Sequence, residues 1–576
     1  MASCPPSPAA SERRHSGWLA LVLVALIAAV ASAAAVSTWR VYGHTWDEPE
    51  HLAAGLELLD RGRYEYDVQH PPLGRVLIAL GPYLAGARSL GMPPPDGTPE
   101  GVRILYGSGH YDLYLRLARL GTLPFLSVLL LGAWLWASRV AASRTEAVLA
   151  VALLAATPPV IGHAALATLD VPAAATTLLA LYALQRWVLD GRWRNAVALG
   201  SAGGLAVATK LSAVLFLGVG LVALATAHYV LGIHCARRLG VARLVDATGA
   251  RARLLELCVI ALMAAVAVEV AYGAHWVSAG DALARLAGAG VAVPAWLSRL
   301  PVPDGWVKLW EAVRAVEWHN AVGHESFLLG DVRRSGWWYF YPVALGAKTP
   351  LPLLIAGPVG LALLARAGWQ QGNRWRLAPP LLFVCLLGAA SLVSHINIGV
   401  RHILILYPLL ALGAAHALAS AWRWLRQLAD RDVAGIGASV VAGLVAWQLS
   451  TLYTAAPDYL PYFNEAIAHP ERVLVDSDLA WGQDLRRLEA RLAELRVPRF
   501  SFAYLGTADL TRETFPPLTR LPPGQPTTGW VAITEMARVH SLSGYAWLDA
   551  YTPVERIGKS ISLYFIPPPD DDASSP

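Results

Sequence analysis

The chain contains a run without charged side chains, GWLALVLVALIAAVASAAAVST at positions 17–38, and two adjacent acids, Asp47 and Glu48, follow it. A bilayer-spanning helix needs about 20 mostly apolar residues. The run therefore predicts a membrane helix that ends close to a pair of ionisable groups. Such groups at a membrane boundary are costly unless they are solvated, paired or functional, so this pair is the first candidate for a functional site.

Similar runs recur along the sequence and predict a polytopic α-helical membrane protein with about 11 transmembrane helices. The predicted spans are 17–38, 113–137, 145–163, 168–187, 194–209, 211–232, 254–275, 341–365, 377–395, 402–424 and 434–453. A shorter apolar run at 73–90 is interrupted by glycine and proline, which indicates a helix lying at the membrane surface.

Arginine clusters in the short loops predict the orientation, because basic residues collect on the cytoplasmic side. The clusters are Arg13 and Arg14; Arg139 and Arg144; Arg186, Arg192 and Arg194; Arg237, Arg238, Arg243, Arg251 and Arg253; Arg366, Arg374 and Arg376; and Arg423, Arg426 and Arg431. Eleven spans place all of them on one side. We therefore expect residues 1–16 in the cytoplasm and the first loop (39–112), the second loop (276–340) and the C-terminal domain outside the inner (plasma) membrane. A cleaved signal peptide is disfavoured, because the first apolar run exceeds a typical signal core.

The composition excludes a soluble cytosolic enzyme and a disordered protein. Only 15 % of the 576 residues are charged, against roughly 25 % in ordinary globular chains, 55 % are hydrophobic, and the mean hydropathy is +0.44. Residues 454–576 hold 16 acids and 11 bases, whereas the first 453 residues hold 25 acids and 35 bases. We therefore expect a membrane domain at 17–453, an extracytoplasmic domain at 454–566 and a disordered tail at 567–576, which is rich in Pro, Asp and Ser.

The polar C-terminal domain is predicted to be a small α/β domain. A helix is expected at 481–496, because leucines recur there on one helical face. The predicted strands are 472–476, 499–505, 529–535 and 560–566. Asp476 and Asp478 precede the helix, and capping of its N-terminus is the favoured interpretation, with acceptor binding as the alternative.

Ionisable side chains collect at the predicted outer ends of the spans. They are Asp47, Glu48, His70, Arg75, His163, Asp170, Lys210, Lys348, His395, Arg401 and His402. Each alone is typical of a capping or snorkelling residue. Together they supply a carboxylate that can take a proton from a hydroxyl group and cations that can stabilise a leaving phosphate. This set suits sugar transfer from a lipid-linked phosphate, and it also suits a proton-coupled transporter.

Several of these segments resemble the protein O-mannosyltransferase-like branch of the GT-C membrane glycosyltransferases (glycosyltransferase family 39). The segments are Asp47-Glu48, His70-Pro71-Pro72-Leu73-Gly74-Arg75, Leu166-Ala167-Thr168-Leu169-Asp170-Val171-Pro172, Lys348-Thr349-Pro350-Leu351-Pro352 and Asn397-Ile398-Gly399-Val400-Arg401-His402. The segments Tyr462-Phe463-Asn464-Glu465 and Asp476-Ser477-Asp478-Leu479-Ala480-Trp481-Gly482-Gln483-Asp484-Leu485 resemble the tail of bacterial members. The likeness covers nearly the whole chain.

The resemblance implies roles for Asp170 and for several residues of the first loop. It implies that Asp47 is the catalytic base or lies next to it, that Glu48 is its partner, and that Asp170 shapes the site. It also places His70 and Arg75 in the segment that covers the site and among the donor-binding residues.

Candidates for contacts with the donor phosphate are Lys210, Lys348, Arg401 and His402, on the basis of charge and membrane side. The resemblance further implies an inverting transfer from a polyprenyl-phosphate sugar, undecaprenyl-linked in most bacteria, to an acceptor that is a protein, a lipid or a glycan. The residues require no cofactor and do not indicate a divalent cation, and the four cysteines show no zinc-ligand spacing. A transporter or lipid flippase remains the alternative function, and a non-catalytic scaffold is a third.

Overall fold

The computed structural model describes residues 8–95, 97–227, 247–287, 294–373 and 377–568. Five arginines of the predicted cytoplasmic clusters lie outside the described residues, and so does most of the predicted disordered tail. These positions are Arg237, Arg238, Arg243, Arg374, Arg376 and residues 569–576.

Helices occupy every predicted span. Those of the membrane domain are Pro8–Ser37, Glu48–Arg61, Pro72–Leu84, Gly97–Gly107, Tyr111–Thr122, Pro124–Val140, Arg144–Ala155, Pro158–Ala164, Asp170–Asp190, Trp193–Thr209, Ser212–Ala225, Ala247–Ala271, Ala279–Ala287, Ala295–Ser298, Asp304–Val322, Phe340–Lys348, Leu351–Gln370, Pro379–Ser391, Leu406–Leu425 and Arg431–Thr454. The polytopic helical fold is therefore confirmed.

Five helical segments within the described part of the chain are long and apolar enough to cross a membrane. They are Gly17–Arg40, Tyr111–Val140, Arg251–Ala271, Leu351–Gln370 and Arg431–Thr454. The pair Arg144–Ala155 and Pro158–Ala164 qualifies as one span but bends by 64° at its break. The count of eleven spans stays a prediction.

Several predicted spans are divided or shortened in the structure, including those at 341–365 and 402–424. The span predicted at 341–365 is interrupted, because Thr349 adopts extended backbone angles before Pro350 and the next helix begins at Leu351. A residue that precedes proline is disfavoured in the helical region, so the chain breaks at this point. The span predicted at 402–424 begins at Leu406, after a short 3-10 turn at Val400–Ile403.

Glycines bring two of the membrane helices into direct backbone contact. A Cβ atom added at Gly360 would lie 1.7 Å from the carbonyl oxygen of Gly413. Small residues allow this approach, which helices in a membrane use in place of the hydrophobic effect. The helices Leu351–Gln370 and Leu406–Leu425 therefore form a fixed frame, and the 3-10 turn that carries Arg401 comes directly before the second of them.

A buried ion pair holds the start of the first loop. Both carboxylate oxygens of Glu48 bind the Arg119 guanidinium, at 2.7 and 2.8 Å. They also accept hydrogen bonds from the backbone N–H groups of Thr45 and Ala167, each at 2.8 Å. Burial works to raise the pKa of Glu48, but Arg119 and these donors hold it below its ordinary value.

The C-terminal domain contains a five-stranded mixed sheet. Its strands, in spatial order, are Leu518–Arg520, Phe500–Ala503, Gly529–Thr534, Ile561–Ile566 and Glu555–Ile557. The first three strands run parallel to one another. Ile561–Ile566 is antiparallel to both of its neighbours, Gly529–Thr534 and Glu555–Ile557. The helix Leu485–Glu494 packs Leu485, Leu488 and Leu492 against this sheet. Outside this domain, the second loop contains two short antiparallel strand pairs, Trp276–Ser278 with Pro301–Pro303 and Ser326–Leu328 with Asp331–Arg333.

The predicted helix and three of the four predicted strands of this domain are confirmed, but the strand at 472–476 is wrong. A 3-10 turn at Pro470–Arg472 and a short helix at Asp476–Leu479 occupy that region. Leu474 and Val475 are buried against the membrane domain rather than in the sheet. The short apolar run Val473-Leu474-Val475 correctly predicts burial, but not the surface against which the run packs.

We expect Arg119→Met to destabilise the protein strongly, because it leaves the buried Glu48 carboxylate without its counter-charge. Removing one partner of a buried pair costs about 3–5 kcal/mol. Arg88→Met is the matched control, since Arg88 is half exposed and lies 3.6 Å from Asp60 in a surface pair. Thermal unfolding in detergent measures both variants, and equal midpoints would contradict this role of the buried ion pair.

Candidate active site

Arg401 lies at the centre of the candidate site. Its side chain is 9 % exposed, and Nη1 lies 2.5 Å from Asp47 Oδ2 and 3.8 Å from Asp170 Oδ2. The guanidinium also stacks over the indole ring of Trp481, 4.4 Å from the ring centroid. One cation therefore joins the first loop, the start of the helix Asp170–Asp190 and the C-terminal domain.

A second cation, Lys210, completes this charge cluster. Its Nζ lies 2.6 Å from Asp170 Oδ1, and the Asp170 carboxylate is 1 % exposed. Lys210 is the residue that ends the helix Trp193–Thr209, where its extended backbone turns the side chain away from the helix axis. Asp170 is thus placed between Lys210 and Arg401, where it holds the two cations close together.

Both cations line a cavity of about 340 Å³. Its polar wall also includes His70, His402, Gln69 and His319. Its apolar wall comes from the helices Ser212–Ala225 and Pro379–Ser391, through Leu215, Phe216, Leu387 and Ala390. A lining that combines cations with apolar side chains suits a ligand with an anionic head and an apolar tail.

The imidazoles of the cavity are polar rather than cationic. Burial lowers the pKa of His70 to about 4, with Arg75 and Lys210 acting in the same direction against Asp67. His70 is therefore neutral near pH 7. His402 Nδ1 lies 3.2 Å from the hydroxyl group of Tyr341, and the two rings stack. These rings can orient an oxygen atom by hydrogen bonding, whereas Lys210 and Arg401 supply the charge.

The structure brings together six of the nine residues predicted from the sequence. They are Asp47, Asp170, His70, Lys210, Arg401 and His402. The other three, Glu48, Arg75 and Lys348, are buried at 2 %, 0 % and 1 % exposure and have partners of their own. Glu48 is occupied by Arg119 as described above.

Arg75 and Lys348 bind polar groups away from the cavity wall. Arg75 pairs with the Asp67 carboxylate and donates to the Tyr64 hydroxyl at 3.0 Å. Lys348 donates to the carbonyl oxygens of Leu460 and Asp478, at 2.8 and 2.5 Å. These cations therefore hold the first loop and the C-terminal segment in place instead of facing the cavity.

Sequence reasoning missed the direct part that the C-terminal segment plays in the site. Asp478 Oδ1 accepts a hydrogen bond from the backbone N–H of Val400 at 3.1 Å, and Ser477 Oγ donates to the carbonyl of Ile398 at 2.9 Å. The capping interpretation of Asp476 and Asp478 is wrong, because the helix begins at Leu485 and neither acid bonds to it. The large aromatic residue Trp481, between these acids and the helix, was the available signal for burial.

The same segment fixes the position of Asp47. The backbone N–H groups of Gly43 and Trp46 donate to the carbonyls of Gln483 and Trp481, at 2.9 and 3.0 Å. Asp47 directly follows Trp46, and its carboxylate stays 24 % exposed. A solvent-accessible acid, next to a nearly buried cation and held by two backbone contacts, is well suited to accept a proton.

Residues 118–249 match the family described as dolichyl-phosphate-mannose-protein mannosyltransferase. The matched segment includes Asp170 and Lys210. The yeast (S. cerevisiae) protein O-mannosyltransferase Pmt1–Pmt2 complex has a similar structure, with a TM-score of 0.51 and 12 % identity over 76 % of this chain and 90 % of that one. The fold is that of a GT-C membrane glycosyltransferase. The predicted resemblance is therefore confirmed for the fold and for the matched segment.

Two further solved structures are similar at lower TM-scores. ArnT from Cupriavidus metallidurans gives 0.45, with 14 % identity over 96 % of this chain and 98 % of that one. The oligosaccharyltransferase AglB from Archaeoglobus fulgidus gives 0.46, with 12 % identity over 84 % of this chain. This chain spans 58 % of the length of AglB. No curated protein sequence matches the chain.

We expect Gly399→Ala to disturb the contact between the C-terminal segment and the Arg401 turn. A Cβ atom at Gly399 would lie 2.5 Å from Ser477 Oγ and 3.1 Å from Asp478 Oδ2. Overpacking of this kind costs about 1–3 kcal/mol. Gly443→Ala is the control, because a Cβ at that helical glycine meets no atom within 4 Å. A thermal midpoint for Gly399→Ala at or above that of the control would refute the close contact.

Proposed function

We propose that the chain transfers a sugar from a polyprenyl-phosphate donor to an acceptor hydroxyl group at the extracytoplasmic face of the inner membrane, with inversion at the anomeric carbon. The observation that carries the proposal is the position of Arg401. Its guanidinium pairs with the accessible carboxylate of Asp47 and also lines a cavity with an apolar wall. The Arg401 side chain therefore both positions the proposed base and contributes a positive charge to the proposed anion site.

The cavity supports a lipid-linked donor. A polyprenyl tail can lie between the helices Ser212–Ala225 and Pro379–Ser391, and its phosphate then meets Lys210 and Arg401. Arg forms bidentate contacts with phosphate, and Lys acts as a compact charge. The Pmt1–Pmt2 complex was solved with the sugar donor bound, and the matched family is described by its dolichyl-phosphate-mannose donor. We propose undecaprenyl phosphate as the bacterial equivalent.

Asp47 acts as the general base in this mechanism. The acceptor hydroxyl gives its proton to the Asp47 carboxylate while its oxygen attacks the anomeric carbon of the donor sugar. The bond between that carbon and the phosphate oxygen breaks, and its electron pair leaves with the polyprenyl phosphate. A single displacement inverts the anomeric carbon and needs one base, in contrast to the two carboxylates of a double displacement.

The remaining residues of the cluster serve the leaving group. Lys210 and Arg401 face the charge that develops on the phosphate, and preorganised charge of this kind often contributes more to the rate than any other effect. Asp170 is too buried to meet the acceptor, so we assign it to positioning these two cations. His70 and His402 donate or accept hydrogen bonds at the cavity wall. No step requires a metal ion or another cofactor.

We expect Asp47→Asn to lower kcat at least 100-fold, because general-base catalysis contributes about 10²–10⁴-fold. The assay follows radiolabelled undecaprenyl-phosphate sugars with the purified protein in detergent and a mixture of peptide and membrane-lipid acceptors. Asp112→Asn is the control, an acid of the same loop that pairs with Arg486 at the surface. Equal donor turnover in wild type and Asp47→Asn would remove Asp47 as the base.

We expect Lys210→Met to weaken the binding of undecaprenyl phosphate about tenfold or more, since one charge-assisted contact is lost. Lys210→Arg retains a cationic partner for Asp170, so it should keep most of the affinity. It therefore controls for the loss of that ion pair in Lys210→Met. Lys308→Met serves as a second control, because Lys308 pairs with Asp304 in the second loop. Binding is measured by the quenching of intrinsic tryptophan fluorescence, and unchanged affinity in Lys210→Met would contradict the phosphate site.

A further inference from the structure

A second partly exposed carboxylate, that of Asp476, lies within the field of Arg401, and the mechanism above does not use it. Asp476 is 16 % exposed, and the charges of Arg401 and Asp47 both act on it. It belongs to the C-terminal domain, whereas Asp47 belongs to the first loop. Unlike Asp170, it has no lysine partner, and within the described part of the chain it accepts a hydrogen bond only from the backbone of Ser477.

The other neighbour of Asp476 is an imidazole of the second loop. His324 Nε2 lies 3.9 Å from Asp476 Oδ2, and His324 is 35 % exposed. This distance is too long for a hydrogen bond. The two groups therefore face each other across a gap that is open to solvent.

The hydrogen bonds behind His324 fix which of its nitrogens carries a proton. Gln69 Oε1 is an acceptor 3.0 Å from His319 Nδ1, so His319 carries its proton there and presents Nε2 as an acceptor. His319 Nε2 lies 3.4 Å from His324 Nδ1, which must then be the donor. Neutral His324 therefore has no proton on Nε2, the atom that faces Asp476.

Neutrality of these rings agrees with their surroundings. Burial lowers the pKa of His324 to about 4, and the charges of His319, Arg401 and His540 act in the same direction against Asp47. Burial likewise lowers the pKa of His319. When Asp476 is ionised, the gap is thus bounded by two hydrogen-bond acceptors and needs a donor between them. A hydroxyl group is a donor of the right kind, because it brings one proton and can bond to either side.

We propose that Asp476 and His324 bind the acceptor, and that the acceptor is a sugar, a glycan or another polyol that presents neighbouring hydroxyl groups to Asp47 and Asp476. One hydroxyl gives its proton to Asp47 and reacts, and a neighbouring hydroxyl donates to Asp476 or His324 and holds the acceptor in place. Asp47 pairs directly with the Arg401 guanidinium and the charge of Arg401 also acts on Asp476, which places both carboxylates within the field of one cation. The inference rests on the proposed function, and it makes the C-terminal domain part of the acceptor site.

The test compares two pools of acceptors with the purified full-length chain and radiolabelled undecaprenyl-phosphate sugars. One pool contains methyl glycosides, and the other contains peptides with Ser and Thr. We expect transfer to the glycosides. We expect Asp476→Asn to raise the apparent KM for the glycoside about tenfold or more, the effect of losing a hydrogen bond to a charged group. The Kd for undecaprenyl phosphate should stay within about twofold, because Asp476 does not line the donor cavity.

A pH profile separates acceptor binding from a structural role. Burial raises the pKa of Asp476 to about 7, with Asp47 and Asp478 adding to the rise and Arg401 opposing it, and His324 is the remaining group that faces it. Ionised Asp476 accepts a hydrogen bond from the acceptor more strongly, so kcat/KM for the glycoside should rise through about pH 7. In Asp476→Asn this rise should disappear.

Two controls keep the result interpretable. Asp509→Asn changes an exposed acid of the same domain that bonds to Thr511, and it should behave as wild type. His324→Phe removes the other wall of the gap and should raise KM in the same direction, so the inference stands on a second variant if Asp476→Asn fails to fold.

Three outcomes would overturn the inference. Transfer to peptides alone refutes the acceptor class, and an unchanged glycoside KM in both Asp476→Asn and His324→Phe refutes the site. Absence of donor turnover by wild type with either pool refutes the proposed function itself, and the inference falls with it.

Discussion

The pairing of one nearly buried guanidinium with carboxylates from separate parts of the chain is the constraint on which the site depends. Arg401 meets Asp47 from the first loop and Asp170 from a membrane helix, and it stacks on Trp481 from the C-terminal domain. A charge removed from water is tolerated only when it is paired. The need to satisfy Arg401 therefore brings three separate segments together.

The other ion pairs of the first loop support this arrangement instead of competing with it. Glu48 with Arg119, and Arg75 with Asp67, are buried and complete, so they shape the first loop without facing the cavity. Lys348 binds carbonyl oxygens of the C-terminal segment and ties that segment to the membrane domain. These supporting contacts do not involve the Asp47 carboxylate, which pairs with Arg401 and stays 24 % exposed.

Much of the fold follows from the sequence, because apolar runs and amphipathic leucines report burial directly. The helices lie where the runs predict them, and Leu485, Leu488 and Leu492 face the sheet as expected. The wrongly predicted strand has a physical cause. Residues 472–476 contain the short apolar run Val473-Leu474-Val475, typical of a strand, but this run packs against the membrane domain rather than in the sheet. Local periodicity reports that a residue is buried but not what it is buried against.

The candidate site was predictable to the extent that charge and loop position decide it. Asp47, Asp170, Lys210 and Arg401 could be chosen because each is an ionisable residue at the end of an apolar segment. The same criterion also selected Glu48, Arg75 and Lys348, because a sequence does not reveal which charges already have buried partners. The sequence favours capping for Asp478, because only the three-dimensional contacts of Asp478 and Ser477 with the segment around Arg401 distinguish the two roles.

Catalysis by this cluster requires that a lipid phosphate bind at Arg401 and Lys210, next to Asp47. The sharpest test is a structure of the full chain with undecaprenyl phosphate, determined by electron cryomicroscopy. We expect the phosphate within hydrogen-bonding distance of both cations and the polyprenyl tail between the helices Ser212–Ala225 and Pro379–Ser391. A phosphate bound elsewhere, with Lys210 still paired only to Asp170, would contradict the proposed donor site.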